Sequence, residues 1–272
     1  ISLREHIVKI LVCVKQVPDS WAEKKLSPAK VLDRESADAV LNDLDEYAVE
    51  EALRIVEANG GSEAGHTITL LSMGPERAQE ALRKGLSMGA DAAIHINDGA
   101  LAGSDALSTS RVLAEAIKKE QPDLILTGTE STDARMSVIP SMLSERLELP
   151  HLSFAGEVQI DVNSGKVTTK RMTDEGVESM EAQMPAIVTV IEKINEPRYP
   201  SFKGIMAAKK KPITQISLGE LGIAANEVGA SGAWSEVNDF ALAPARGAGI
   251  KVIDEGSAGS ALVEFLAEKR LI

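Results

Sequence analysis

The stretch Ile10-Leu11-Val12-Cys13-Val14 is an unbroken apolar run between Lys9 and Lys15. A strand with one wet face alternates polar and apolar residues, so this run fits a strand covered on both faces, as in a parallel sheet. The segment Lys9–Val17 then meets the turn Pro18-Asp19-Ser20. Open parallel sheets gather their ligands outside the carboxyl ends of the strands. The expectation is a central strand of a doubly wound domain, with a site at its C-terminal end.

The chain that follows supports a parallel sheet. Trp21–Leu41 is charged and irregular, with SPAKVLDRESADAV reading as a short hairpin, and Asn42 is placed to cap a helix. Leu44, Ala48, Val49, Ala52, Leu53 and Val56 recur at helical spacing, with Asp45, Glu46, Glu50 and Glu51 on the opposite side. Gly60-Gly61 ends that helix. Strands are expected at His66–Met73, Ala92–Ile96 and Asp123–Thr127, and helices after Gly74-Pro75, after Ser104-Asp105 and beyond the turn at Gly128. Strand and helix thus alternate four times, the pattern of a parallel sheet with crossover helices.

Near Pro150 the pattern changes. Phe154–Ile160 and Lys166–Met172 flank Asn163-Ser164-Gly165, a hairpin signal, and Ala186–Ile191 is a further strand. This predicts a small antiparallel extension. Beyond Lys211 the chain loosens into a Gly-, Ala- and Ser-rich stretch at Gly229–Gly249 and a last helix at about Ser257–Lys269. The expected division is an α/β nucleotide-binding domain at 8–212, with a docking loop at 190–212. A C-terminal linker and helical arm at 213–272 would then pack on a partner.

Composition excludes several classes. A net charge of −12 over 272 residues argues against general nucleic-acid binding. Aromatics are only 3%, so the core must be aliphatic and Ala-rich. Cys13 is the single cysteine, and His6, His66, His95 and His151 lack ligand spacing, so neither a disulfide framework nor a metal cluster is expected. No apolar stretch approaches the ~20 residues of a membrane span. ISLREHI lacks the apolar centre of a signal peptide and reads as an alternative start or a remnant. A reduced, cytoplasmic compartment is expected (the mitochondrial matrix in a eukaryote).

Two stretches carry chemistry. Gly128-Thr129-Glu130-Ser131-Thr132-Asp133-Ala134-Arg135-Met136-Ser137-Val138-Ile139 joins the fourth strand to a helix start. It offers free N–H groups, hydroxyls and the Arg135 charge to an anion, although an ordinary capped helix start would use similar residues. There is no G-x-G-x-x-G and no Walker A loop, which disfavours a nicotinamide site or a P-loop phosphotransferase. The second stretch, Ile194–Met206, sets Tyr199 and Phe202 among turn formers just before Lys209-Lys210-Lys211, as a docking loop requires. No Ser/His/Asp set or paired carboxylate stands out, so no catalytic residue is expected. These residues alone fit an adenine-nucleotide-binding α/β domain. A homodimeric nucleotide-binding regulatory protein and an ATP-pyrophosphatase-type enzyme remain as rivals, the latter lacking its Ser-Gly-Gly-rich loop after the first strand.

Asn195-Glu196-Pro197-Arg198-Tyr199, followed by Gly204-Ile205-Met206-Ala207-Ala208-Lys209-Lys210-Lys211, resembles the small (beta) subunit of electron-transfer flavoprotein. So do Leu11–Lys15, Asn42 with Ala48–Ala52, Ser87–Asp91, and Lys170–Glu178 running on to Pro185–Thr189, in the same order over about residues 8–213. The resemblance implies an adenine-nucleotide α-hydrolase-like fold and a heterodimer whose large (alpha) subunit carries most of an FAD site, with AMP in the small subunit. The family's AMP-contacting positions fall on Cys13, Asn42, Asp43, Leu44, Asp45, Met73 and Gly128 through Ile139. Many members carry carboxylates, Asn, Gln and Thr where Ala134–Ile139 stands, so phosphate would rest on backbone N–H groups here. Lys15–Trp21 resembles the part that approaches the isoalloxazine. Pro197, Arg198, Tyr199, Phe202, Ile205, Met206 and Lys210 fall in the loop that docks acyl-CoA dehydrogenases, with Phe202 as the apolar anchor. The implied function is electron carriage from such dehydrogenases to a membrane quinone oxidoreductase. The alternative is an electron-bifurcating member with a second FAD in place of AMP.

Overall fold

The computed structural model describes residues 7–245, 247 and 249–272. His6 and all but the last residue of ISLREHI lie outside them. Among the described residues, eleven strands and seven α-helices follow in order. They are β1 (Lys9–Cys13), β2 (Gln16–Pro18), β3 (Ala39–Leu41), α1 (Asp43–Ala58), β4 (Thr67–Met73), α2 (Gln79–Met88), β5 (Ala92–Ile96), α3 (Ala106–Glu120) and β6 (Leu124–Gly128). Then come α4 (Ile139–Leu147), β7 (His151–Asp161), β8 (Lys166–Thr173), β9 (Gly176–Gln183), β10 (Ala186–Val190), α5 (Phe202–Ala208), β11 (Ile213–Ile216), α6 (Gly229–Gly232) and α7 (Ala258–Glu268).

Nine strands form one sheet in the order β11-β5-β4-β1-β6-β10-β7-β8-β9, and β2 pairs with β3 beside it. Pairing is parallel from β11 through β7 and antiparallel for β7-β8-β9, a mostly parallel α/β sheet with the expected antiparallel extension. β1 is central. Ile10 and Val12 face a core layer with Ala48, Val49 and Ala52 of α1 and Leu82 and Leu86 of α2. Leu11 faces the opposite layer with Val112, Ala116 and Ile117 of α3 and Leu143 of α4. All three β1 residues are at most 1% exposed, so burial of each contributes ~1.5–3 kcal/mol. The unbroken apolar run is therefore the signature of a strand between two helical layers.

Three local expectations change, and one strand appears that the sequence did not mark. The hairpin read in Trp21–Leu41 reduces to a single Leu26–Leu32 bridge, while Ala39–Leu41 pairs instead with Gln16–Pro18. Glu50 and Glu51, assigned to the wet side of α1, are each 5% exposed because the 194–198 segment covers them. β9 joins the sheet although GVESMEAQ carries no apolar alternation. The boundary expected at 212 moves to Val237: β11 pairs with β5, and Leu218, Leu221, Ile223 and Val228 are buried in the α3/α4 layer. The second unit is Asn238–Ile272, whose helix α7 buries none of its residues.

Candidate functional site

The strand order reverses between β1 and β6. From β1 the chain moves to β4 and β5 on one side and then returns to β6 on the other, leaving a crevice at the shared carboxyl edge. In the register there, Cys13 lies beside Thr127, and Val190 beside Gly128. The expected site segments converge at this point.

Asn42 is the hub. It is fully buried, its Nδ2 donates to the Glu130 carbonyl at 2.9 Å, and its Oδ1 accepts from the Thr132 N–H at 3.0 Å. Its own N–H donates to the Lys15 carbonyl at 2.9 Å, and its carbonyl accepts from Asp45 N–H. Asn42 stands at the N-cap of α1, but its amide does not cap the helix. The side chain is used instead to bolt the β6 turn to the start of α1.

Asp45, one turn into α1, is 6% exposed and accepts from Lys15 N–H at 2.7 Å. Burial pushes its pKa up to about 7, against the opposing pull of Asn42, Lys15 and the Gly128 N–H. Gly128 is required where α1 meets β6: a Cβ there would lie 2.7 Å from Asp45 Oδ1 and 2.8 Å from the Leu44 backbone. Burial and the Asp45 charge push the Cys13 thiol up to about 12, so it is a packing group and not a nucleophile.

Asp133 has the opposite electrostatics. Lys15 Nζ donates to it at 2.8 Å and Arg34 Nη2 at 2.6 Å, while its carboxylate is fully covered. Burial raises its pKa, but the Lys15 charge and hydrogen bond, Ser131 and Arg34 outweigh that and hold it down at about 2. Lys15 Nζ also donates to Ser131 Oγ at 3.2 Å. The sequence placed Lys15 near the crevice but gave no sign of Arg34, which lies in a stretch without periodicity and 99 residues from its partner.

Thr129 Oγ1 donates to the Val190 carbonyl, and Ser137 Oγ donates to Glu130 Oε2. Arg135 and Ser137 both adopt left-handed backbone, with φ of 49° and 54°. Ala134 through Ser137 are exposed, Val138 and Ile139 half-buried, and α4 begins with no side-chain cap. Among the described residues, Thr127 Oγ1 and Thr132 Oγ1 are buried without a hydrogen-bond partner. Unpaired hydroxyls at the end of β6 and in the turn after it, with a helix start without a side-chain cap following in the chain, fit a ligand that carries both an anionic and a polar part. Leu44 is half-buried and Asp43 exposed, while Met73 ends β4 at the same edge and shares an apolar layer with Cys13 without a hydrogen bond into the network.

The 194–211 segment forms a second surface. Ser201 caps α5 by accepting from Gly204 N–H at 3.1 Å, and a Cβ at Gly204 would sit 2.6 Å from the Ser87 carbonyl, so α5 lies tight on α2. Tyr199 is 95% exposed and Phe202 79% exposed, with Ile205, Met206 and Lys210 also at the surface and Pro197 half-buried. Arg198 is used differently from expectation. It pairs with Glu50 at 2.8 Å and Glu57 at 2.6 Å, which raises its pKa and makes it the anchor of the loop. Lys211 likewise turns inward, donating to the carbonyls of Leu86, Gly89 and Ala90 at the end of α2. The basic run therefore presents Lys209 and Lys210 outward, not all three lysines.

This is a doubly wound α/β protein with its candidate site at the topological switch point and an exposed apolar loop at 199–206. The electron transfer flavoprotein domain matches residues 29–221. The chain is 47% identical over 268 residues to the electron transfer flavoprotein subunit beta of Mycobacterium bovis, covering 98% of this chain and 100% of that one. It is 36% identical over 270 residues to the subunit beta of Megasphaera elsdenii, covering 96% and 97%. It is 34% identical over 269 residues to the CarD subunit of the caffeyl-CoA reductase-Etf complex of Acetobacterium woodii, covering 97% and 100%. The chain belongs to the electron transfer flavoprotein family, among its beta subunits. Among the described residues, no helix is long and apolar enough to cross a membrane.

Proposed function

We propose that this chain is the small half of a two-subunit electron carrier, holding AMP in the β1/β6 crevice and helping to hold an FAD borne mainly by the alpha subunit. The observation that carries the nucleotide reading is the convergence of Lys15, Asn42 and Asp45 with the 128–133 turn, together with unpaired Thr127 and Thr132 hydroxyls and an α4 start without a side-chain cap. In this reading the α4 N–H groups take the phosphate, and the hydroxyls take polar atoms of the nucleoside. The FAD, when bound, supplies the redox chemistry. The chain's own side chains position and shield, and none acts as acid, base or nucleophile.

The Tyr199–Met206 surface is assigned to transient contact with acyl-CoA and related dehydrogenases, and the carrier then passes electrons to a membrane quinone oxidoreductase. A rigid Phe202 plug beside Lys209 and Lys210 favours orientation over tight binding, as a shuttle needs. Similarity to a subunit of a caffeyl-CoA reductase-Etf complex keeps a second reading in view, with a second FAD in the crevice. Co-purification with the alpha subunit, denaturation and mass spectrometry of the supernatant tests both. AMP together with FAD is the expected result. FAD alone, in twice the amount per heterodimer, supports the second reading, and a colourless homodimer refutes the carrier assignment.

A further inference from the structure

The segment between β2 and β3, residues 19–38, follows the exit of β1 with little regular secondary structure, and its Arg34 reaches the 128–133 turn. Its internal contacts include the Leu26–Leu32 bridge, the Lys25–Glu23 ion pair and turn hydrogen bonds such as Asp19 N–H to the Asp38 carbonyl and Asp33 N–H to the Lys25 carbonyl. Two guanidinium groups tie it to the body. Arg34 reaches from the segment to Asp133 at 2.6 Å. In the other direction, Arg77, between β4 and α2, donates to the Arg34 carbonyl at 3.1 Å and the Ala37 carbonyl at 3.2 Å. Arg77 is itself located by Gln16, whose Nε2 donates to its carbonyl at 2.8 Å.

Asp133 is where this strap meets the nucleotide turn. Its carboxylate is fully covered and shared between Lys15, at the exit of β1, and Arg34. Lys15 and Arg34 together carry one more unit of charge than the carboxylate they share, and the turn that holds Asp133 leads into an α4 start without a side-chain cap. Both cations are more than a third exposed, so their grip is reversible and weakened by salt.

We propose that Lys15, Arg34 and Asp133 latch the 19–38 strap over the crevice, that Arg77 is the positioning residue that delivers Arg34, and that the latch controls how slowly the nucleotide leaves. This rests on the nucleotide reading of the crevice. Opening the strap requires Arg34 to release Asp133, which removes the ion pair between the strap and the 128–133 turn and leaves the Arg77 hydrogen bonds to the Arg34 and Ala37 carbonyls to yield in their turn. Closing it restores the Asp133 partner and covers the turn from water.

The test uses the co-purified two-subunit protein, as wild type and as Arg34→Ala, Arg34→Lys and Arg77→Ala. Two measurements are made on each: amide hydrogen exchange of residues 19–38, and the fraction of nucleotide retained with time after dilution. For a partly exposed pair on a covered carboxylate, Arg34→Ala should speed both strap exchange and nucleotide release by roughly fivefold to tenfold. Arg77→Ala should do the same to a smaller extent, and Arg34→Lys should recover part of the retention. Raising salt should speed release from the wild type and leave Arg34→Ala nearly unchanged, which a merely structural role would not produce. Faster strap exchange with unchanged release overturns the gating claim, and no change in either overturns the latch. A wild-type protein that carries no nucleotide refutes the nucleotide reading and the retention claim with it. The exchange data would then still report independently whether Arg34 holds the strap.

Discussion

Replacing Asn42 with Ala removes the bolt between α1 and the β6 turn. The side chain is fully buried and makes two hydrogen bonds, at 2.9 Å to the Glu130 carbonyl and at 3.0 Å from the Thr132 N–H. Truncation strands one acceptor and one donor, each costing ~1–3 kcal/mol when buried. Glu130 and Thr132 are half-buried, so water recovers part of this and the lower half of the range applies. The total comes to about 2–4 kcal/mol, a large share of a typical stability. Asn42→Asp makes the comparison sharper. It keeps an acceptor for Thr132 but turns a carboxylate oxygen toward the Glu130 carbonyl, next to buried Asp45, so it should be no better than Ala at neutral pH. Urea unfolding of the two-subunit protein followed by far-UV circular dichroism reads the loss as a lower midpoint at constant slope. A loss under ~1 kcal/mol for Ala, or an Asp variant as stable as wild type, refutes the view that this amide organises the crevice.

Two further outcomes follow from the same geometry. Asp45, raised to about 7, holds a proton in the folded state that the unfolded chain releases near pH 4. Its contribution to stability is therefore full below pH ~4 and falls as pH rises towards about 7, by up to ~1.4 kcal/mol per pH unit. Asp133, held at about 2, works in the opposite sense: its contribution is present above pH ~4 and is lost as pH falls towards 2. Stability of wild type minus Asp45→Asn, measured from pH 4 to 8, should decline across that window, and a flat difference contradicts the assignment. Phe202→Ala, at a 79% exposed position, should slow electron uptake from an acyl-CoA dehydrogenase in stopped-flow without loss of bound flavin. Unchanged reduction kinetics would remove Phe202 from the docking surface.

What the sequence disclosed follows the range of the forces involved. β1 was legible because Ile10, Leu11 and Val12 are buried on both faces, which leaves a local apolar run. The crevice was legible because a parallel sheet reversing beside its central strand must open one, and because Gly128 and a polar turn follow β6 in the chain. β11 was not legible. It is a four-residue edge strand with two exposed central residues, following a basic run that reads as solvated chain. β9 was missed for a similar reason, since exposed Glu and Ser carry no hydrophobic period. Asn42 was noticed for its position before a helix, but a capping amide and a tertiary bolt have the same local sequence, and only the turn arriving 88 residues later separates them. Glu50 and Glu51 show the same limit from the other side. Helical spacing assigned them to water, and the distant Arg198 and Asn195 make burial tolerable by supplying charge and an amide. Arg34 is the extreme case. Its neighbours are charged, its backbone irregular, and what distinguishes it are its contacts with Asp133 and Arg77, both far along the chain. Periodicity and caps thus locate the scaffold and the mouth of the site, whereas the polar contacts that close the site are long-range pairings without a local trace.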